Sequence, residues 1–186
     1  VYEGARGVTG PYLALLGASA FAVGLVGGLG EFIGYALRLL SGFIADRTKA
    51  YWFFTFIGYG LIFSIPLLSF ANSWWVAALF IIMERAGKAF RSPARDTILS
   101  YATKEVGRGF GFGIHEALDQ IGAIIGPLIF SFILFFGGDY RSGFSILWIP
   151  ALVVIGVLVL ARNQLPHPEK LETSKELEEK DDKIFS

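Results

Sequence analysis

The sequence predicts an all-α polytopic membrane protein, and three features of the chain support this fold class. Hydrophobic residues make up 54% of its 186 positions, whereas charged residues make up only 17%, against about 25% in an ordinary soluble domain. Several apolar runs reach the ~20 residues that cross a ~30 Å hydrocarbon layer. The connections between these runs alternate between basic and nearly uncharged, as expected for loops on alternating sides of a membrane.

The first segment, residues 1–17, contains Glu3 and Arg6 and then an apolar stretch at 12–16. This stretch is too short to cross a bilayer alone. We therefore interpret residues 1–17 as the outer part of a truncated first transmembrane helix. The chain opens with Val1 and lacks the basic region and apolar core of a signal peptide, which predicts that it starts within a longer protein.

Residues 18–162 contain the remaining apolar runs, which are separated by charged, proline-containing or glycine-containing connections. The charged stretch 46–49 indicates a short loop, and the stretch from Ser92 to Arg108 indicates a polar connection with room for a surface helix. These boundaries predict five transmembrane helices, at about 21–44, 52–70, 74–90, 109–136 and 140–161.

The basic residues predict how these helices are oriented. Lys and Arg favour short cytoplasmic loops, and they cluster after the first, third and fifth full spans but not after the second. The remaining stretch, 163–186, holds four Lys and seven acidic residues, which is typical of a charged, solvated tail or linker. We therefore expect a multi-pass protein of the plasma (cytoplasmic) membrane, in contact with the lipid bilayer, whose C-terminal tail is cytoplasmic.

Ionisable residues interrupt four of the predicted transmembrane helices at a similar depth. Counted at ~1.5 Å per residue from positions 16, 21, 74 and 109 respectively, Arg6, Glu31, Glu84 with Arg85, and Asp119 all lie roughly 15 Å deep, near the midplane. A charge at this depth costs at least ~2.5 kcal/mol unless it meets a partner or water. These residues therefore indicate a polar interior, either a pathway for a solute or a set of ion pairs that hold the bundle together.

Spacing along each helix extends this polar set. Glu31, Tyr35 and Arg38 share one helix face, and Glu84 with Lys88 and His115 with Asp119 are i, i+4 pairs. Acids and bases are nearly balanced, which favours a polar or zwitterionic solute. Glu31, Glu84 and Asp119 are the candidates for proton coupling, because burial raises the pKa of a carboxyl. The predicted substrate and proton pathway comprises Arg6, Glu31, Tyr35, Arg38, Glu84, Arg85, Lys88, His115 and Asp119.

Glycines give two of the helices a smooth face. In the first full span they are Gly24, Gly27, Gly28, Gly30 and Gly34, and in the fourth they are Gly122 and Gly126. Small residues allow close approach of membrane helices, so these faces indicate either plain packing or a contact that slides between states.

Three short motifs and one turn carry a resemblance to a known family. Residues 42–47, Gly-Phe-Ile-Ala-Asp-Arg, resemble the signature between helices two and three of major facilitator superfamily (MFS) transporters, although 48–50 depart from its basic end. Residues 85–89 resemble the helix-four motif of that family. Residues 119–127, which end in Gly126-Pro127, resemble its helix-five motif, and 108–112 its turn into that helix.

The resemblance implies a truncated six-helix half-bundle of the MFS fold, covering the end of helix one through helix six and the start of the central linker. Such transporters are secondary active carriers in which two halves rock around a midplane site. Gly42, Asp46 and Arg47 would form a cytoplasmic gating loop, with Asp46 capping a helix of the missing C-terminal half. Gly122, Gly126 and Pro127 would form the helix-five motif. The resemblance implies a proton-coupled symporter or antiporter of a small-molecule or ion substrate, and it leaves that substrate unspecified.

Other functions fit the sequence less well. The alternative is a non-transporting truncated membrane module that needs a partner half. The stretch 108–115 is similar to an RNA-binding strand, but Gly and His replace its key apolar and aromatic positions, so nucleic acid is not an expected partner. Hydrolase and metalloprotease motifs are absent from the sequence, and His115 with two acids makes a poor metal site. We expect no enzyme activity, no cofactor and no resident metal.

Overall fold

The structure, a computed structural model, describes residues 2–104 and 106–168. All secondary structure in these two ranges is helical, which confirms the predicted all-α class. The helices are α1 (Tyr2–Leu15), α2 (Ala20–Thr48), α3 (Tyr51–Gly60), α4 (Ser64–Leu67), α5 (Trp74–Ala102), α6 (Arg108–Phe135), α7 (Tyr140–Ile146) and α8 (Trp148–Gln164), with 3-10 turns at Leu61–Phe63 and Leu68–Phe70.

Helix α2 begins and ends with recognisable caps. The Ser19 hydroxyl accepts a hydrogen bond from the Ala22 amide at 3.2 Å, and Lys49 closes the helix in the left-handed conformation with φ of 55°. The predicted loop at 46–49 is therefore wrong, since Asp46 and Arg47 belong to the last turn of α2. Charged residues mark where a helix leaves the apolar layer, and the helix itself continues to its cap.

Helix α5 also continues past its predicted end. The expected connection from Ser92 is helical as far as Ala102 and contains Pro93. Proline lacks the amide that would bond to the carbonyl four residues earlier, here that of Ala89. The Ser41 hydroxyl on α2 donates to the Ala89 carbonyl at 2.7 Å instead, so a neighbouring helix satisfies the acceptor and α5 is not interrupted.

The second and fifth predicted spans contain breaks that were not predicted from the sequence. Two 3-10 turns flank α4, which contains Pro66. Leu147 separates α7 from α8. By contrast, α6 runs unbroken through Gly126 and Pro127.

Hydrogen bonds tie the helix ends together at two opposite ends of the bundle. At one end, the Tyr12 hydroxyl donates to the Leu68 carbonyl at 2.9 Å, and Arg141 Nη2 donates to Asn72 Oδ1 at 2.9 Å. At the other end, Trp52 Nε1 donates to the Leu165 carbonyl at 2.9 Å. The connections therefore alternate between the two ends along the chain, as the loop charges predict.

Helix α5 is central to the packing of the described residues. It packs against α2 and α3, while α1 packs against α6. The approach of α3 to α5 depends on glycine, because a Cβ at Gly87 would lie 2.8 Å from the Gly58 carbonyl oxygen and 2.7 Å from Leu61 Cβ. At the end of the bundle where Tyr12 bonds to Leu68, the Tyr12 and Phe130 rings each lie 5.0 Å from the Phe144 ring, between centroids.

Among the described residues, four helical stretches are long and apolar enough to cross a membrane: Ala20–Thr48, Tyr51–Phe70, Arg108–Phe135 and Tyr140–Gln164. They expose many large apolar side chains, such as Phe135 at 83% and Leu39 at 79%, as expected for helices surrounded by lipid. The third predicted span, 74–90, is not among these four. This span lies in α5, which is as long as α2. Its charged side chains make it less apolar than the four stretches, and α2 and α3 pack against it. The fold is that of a multi-pass α-helical membrane protein.

Candidate functional site

Glu31 brings together charged side chains from three helices. Its Oε1 atom lies 2.7 Å from Arg85 Nη1 of α5 and 3.4 Å from Arg6 Nη2 of α1. The Arg85 side chain is only 11% exposed, whereas that of Glu31 is 39% exposed on the open side of the bundle. Gly30 leaves room for this contact, because a Cβ there would lie 3.2 Å from Arg85 Cγ. The structure thus joins Arg6, Glu31 and Arg85, as their common depth predicted.

A small polar cavity, the first cleft, surrounds this ion-pair cluster. It has a volume of about 60 Å³, which leaves room for a few waters or a small charged group. The Arg38 guanidinium lies 5.5 Å from the centroid of the Tyr35 ring, and Arg38 Nε is buried without a hydrogen-bond partner among the described residues. The lining residues are Arg6, Glu31, Gly34, Tyr35, Arg38, Arg85, Lys88 and Ala89.

His115 and Asp119 lie elsewhere, in a second cleft between α3, α5, α6 and α8. This cavity has a volume of about 460 Å³. One wall carries His115, Glu116 and Asp119 of α6, and the facing wall carries basic residues of α5. Lys88 lines both clefts. The predicted pathway residues are therefore divided between two cavities instead of converging on one. The charged residues of the second cleft are Lys88, Arg91, Arg95, Asp96, Glu116 and Asp119.

Glu84 lines neither cleft and is the most deeply buried acid among the described residues, at 1% exposure. Its Oε1 lies 3.6 Å from Arg91 Nη2, whose side chain is 6% exposed. The Arg91 guanidinium also lies 5.2 Å from the Tyr59 ring. Arg91 comes directly after the predicted end of the third span at residue 90, among the basic residues attributed to the following connection, so the sequence pattern missed this role. The i, i+7 spacing from Glu84, the same spacing that links Glu31 to Arg38, could have found it.

The three predicted gating residues lie on the last turns of α2. Gly42 packs on Pro93 of α5, since a Cβ at Gly42 would lie 3.4 Å from Pro93 Cβ. Asp46 and Arg47 are exposed to solvent, and the Arg47 guanidinium lies 5.6 Å from the Phe43 ring. These residues are available to a further structural element at this end of the bundle.

The two glycine faces differ in what they contact within the described residues. On α2, Gly30 and Gly34 approach Arg85, whereas a Cβ added at Gly24, Gly27 or Gly28 would meet nothing within 4 Å. On α6, a Cβ at Gly126 would overlap the Gly4 backbone, while Gly122 faces open space. Pro127 follows in the same continuous helix. The helix-five motif is thus the place where α1 and α6 touch.

A multi-pass helical bundle with charged clefts between its helices is the arrangement expected of membrane transport proteins. The chain belongs to the Major Facilitator Superfamily, since the model of that family matches residues 2–184. This membership confirms the resemblance carried by the three sequence motifs.

The chain is also similar to proteins of other organisms. An uncharacterized protein of Mycobacterium tuberculosis is 47% identical over 92% of this chain and 42% of its own length. An uncharacterized MFS-type transporter of Methanocaldococcus jannaschii is 38% identical over 78% of this chain and 35% of its own length. The multidrug resistance protein MdtH of Photorhabdus laumondii is 29% identical over 66% of this chain and 31% of its own length. No solved structure matches. The chain thus spans less than half the length of these relatives.

Proposed function

We propose that this chain forms the first six-helix half of a proton-coupled secondary active transporter that moves a small polar solute by alternating access. The observation that carries this proposal is the bridge from Glu31 to Arg85 and Arg6, which lies where three helices meet at an open cleft. Membership of the superfamily supports the general activity. The names of the relatives also favour a transporter over the non-transporting module.

Protonation of Glu31 gives the proposed coupling step a physical basis. A neutral carboxyl loses most of its attraction for the Arg85 and Arg6 guanidinium groups. Helices α5 and α1 are then free to shift against α2, and Gly34 offers α5 a surface without side chains. Solute and proton would act on the same guanidinium groups, which links the occupancy of one to that of the other.

The other two acids are weaker candidates for this step. Glu84 is enclosed with Arg91 and lines neither cleft. Asp119 is exposed to the second cleft, away from the Glu31 cluster. We therefore assign the coupling proton to Glu31 and a supporting role to the others.

The proposal also covers location and partner. By the positive-inside rule, the end of the bundle that carries Arg47, Lys49 and Arg162 faces the cytoplasm, and the membrane is the plasma membrane. A second six-helix half then faces the two clefts, and Asp46 and Arg47 contact it at the cytoplasmic end. The predicted tail at 163–186 lies outside the described ranges from residue 169 onward.

The test is proton flux in proteoliposomes that contain the full-length gene product. Vesicles loaded with a pH-sensitive dye are given inorganic phosphate, succinate, putrescine and ethidium in turn, with and without a pH gradient. We expect one solute class to drive proton movement, and we expect Glu31→Gln to abolish it. Asp139→Asn is the matched control, because it also turns a carboxylate into an amide, at an exposed turn outside both clefts.

Two outcomes contradict the proposal. One is proton-coupled flux that persists in Glu31→Gln. The other is the absence of solute flux for the wild-type protein with every member of the panel and in either gradient direction.

A further inference from the structure

We infer that the solute bound at the first cleft is anionic, with a carboxylate or phosphate group that docks on Arg38 beside Arg85. This inference rests on the proposed function, because it names the solute class of the same site. It also departs from the near balance of acids and bases in the sequence, because the structure divides those residues between two clefts.

The charge of the first cleft is positive. Three cationic side chains line this cleft alone, those of Arg6, Arg38 and Arg85, and Glu31 is the only carboxylate among the described residues of its lining; Lys88 also lines it but is shared with the second cleft. Glu31 is already shared by Arg6 and Arg85. Cationic groups in a low-dielectric site need counter-charge, so the cleft is electrostatically suited to a further anion.

Arg38 supplies a donor that the described residues leave unused. Its Nε atom is buried and has no hydrogen-bond partner among them, and its guanidinium is held near the Tyr35 ring. A guanidinium presents a planar set of N–H donors that matches the paired oxygens of a carboxylate or phosphate. Arg85 lines the same cleft with its Nη1 bound to Glu31, and its positive charge adds to the attraction for an anion on Arg38.

The excess of positive charge is specific to the first cleft. The lining of the second cleft carries equal numbers of basic and acidic side chains, with Lys88, Arg91 and Arg95 against Asp96, Glu116 and Asp119. Arg95 is bound directly to Asp96 at 2.7 Å, and Arg91 to Glu84 at 3.6 Å. The volume of the first cleft, about 60 Å³, is large enough for the charged group of a small solute.

The experiment measures binding to the purified full-length protein in detergent by calorimetry and by thermal unfolding. The probes are inorganic phosphate and succinate, with putrescine as the cationic control and succinamide as the neutral control, each at millimolar concentration. We expect the two anions to bind and to raise the unfolding temperature, and the controls to do neither. We expect Arg38→Gln to weaken anion binding about tenfold or more, as loss of a charge-assisted hydrogen bond does.

Two variants keep the result interpretable. Arg38→Lys preserves the charge and should recover part of the affinity, which separates a binding role from a folding role. Arg162→Gln removes a guanidinium at the far end of α8, near the Phe56 ring, and should leave anion binding unchanged.

The inference is overturned if neither anion binds. That result is expected if a carboxylate of the second half supplies the counter-charge to the first cleft. It is also overturned if putrescine or succinamide binds instead, or if anion affinity is the same in Arg38→Gln as in the wild type. Failure of the proposed function looks different. Anions that bind but produce no flux in proteoliposomes would contradict the transport function and leave the anion site intact. Glu31-dependent transport of a cation would support the transport function and contradict the anion site.

Discussion

The Ser41 hydroxyl on α2 donates a hydrogen bond of 2.7 Å to the Ala89 carbonyl on α5. This carbonyl is the one that Pro93 leaves without its helical amide donor. The contact therefore joins two long helices and also keeps α5 continuous through a proline. It lies beside the first cleft, which Ala89 lines, so the stability of α5 and the shape of the cleft depend on the same bond.

We expect Ser41→Ala to lower the free energy of unfolding by about 1–3 kcal/mol, because it leaves a buried carbonyl without a donor. In a Pro93→Ala background, the restored amide at position 93 can bond to the Ala89 carbonyl. Ser41→Ala should then lower the free energy of unfolding by clearly less. The measurement is denaturant or thermal unfolding of the four proteins of this cycle in detergent. Equal losses in both backgrounds would show that Ser41 does not act through the Ala89 carbonyl.

The contact between α1 and α6 predicts a sharp difference between two glycines of one motif. A Cβ at Gly4 would lie 2.8 Å from Gly126 Cα, and a Cβ at Gly126 would overlap the Gly4 backbone, whereas Gly122 has nothing within 4 Å. Gly126→Ala should therefore cost about 1–3 kcal/mol through overpacking. Gly122→Ala should be neutral or mildly stabilising, since alanine favours helix. Thermal unfolding in detergent decides this, and equal effects at both positions would contradict the packing.

The buried ion pair of Glu84 and Arg91 predicts a stability defect. Glu84→Gln removes the charge that lies 3.6 Å from Arg91 Nη2 and leaves a cation that is largely enclosed. Removal of one member of a buried pair typically costs about 3–5 kcal/mol. Glu116→Gln is the control, because Glu116 is exposed and accepts a hydrogen bond from Gln120; we expect it to change stability by about 0.5 kcal/mol or less. Unfolding curves in detergent at neutral pH provide the comparison, and similar stability for the two variants would refute the role of the buried pair.

Asp139 predicts a pH-dependent contribution to stability at the start of α7. Hydrogen bonds from the Ser142 hydroxyl at 2.6 Å and from the Ser142 amide at 2.9 Å hold the pKa of the Asp139 carboxyl below its ordinary value. Because this pKa is lower in the folded state, the stabilisation is present above pH ~4 and is lost as the pH falls through the folded pKa.

The measurement is the difference in unfolding temperature between wild type and Asp139→Ala across pH 3 to 7. We expect the wild type to be the more stable protein near neutrality and the difference to shrink in acid. Asp139→Asn is the matched control, since asparagine caps a helix without titrating in this range. A difference that stays constant with pH would show that the cap does not depend on the ionised carboxyl.

Composition, apolar run length and loop charge were enough to predict the helical class and the order of the membrane helices, because lipid requires backbone groups to bond within each helix. The same signals placed the ends of α2 and α5 incorrectly. Arg47 and Pro93 mark changes in polarity or local geometry, but capping by Lys49 and the donor from Ser41 determine where these helices end or continue. Such contacts cannot be predicted from one segment at a time.

The sequence by itself determined which residues are costly in a membrane, because depth and helix face identified Arg6, Glu31, Arg85 and Asp119. It also contained the family signature at 42–47. Only the tertiary structure decided which of them meet. Glu31 joins Arg6 and Arg85, Glu84 turns away to Arg91, and Asp119 faces a separate cleft. The physical reason is that depth and periodicity fix a side chain along and around its own helix, whereas its partners depend on how closely neighbouring helices approach. Here that approach is set by glycine contacts such as Gly58 with Gly87 and Gly4 with Gly126.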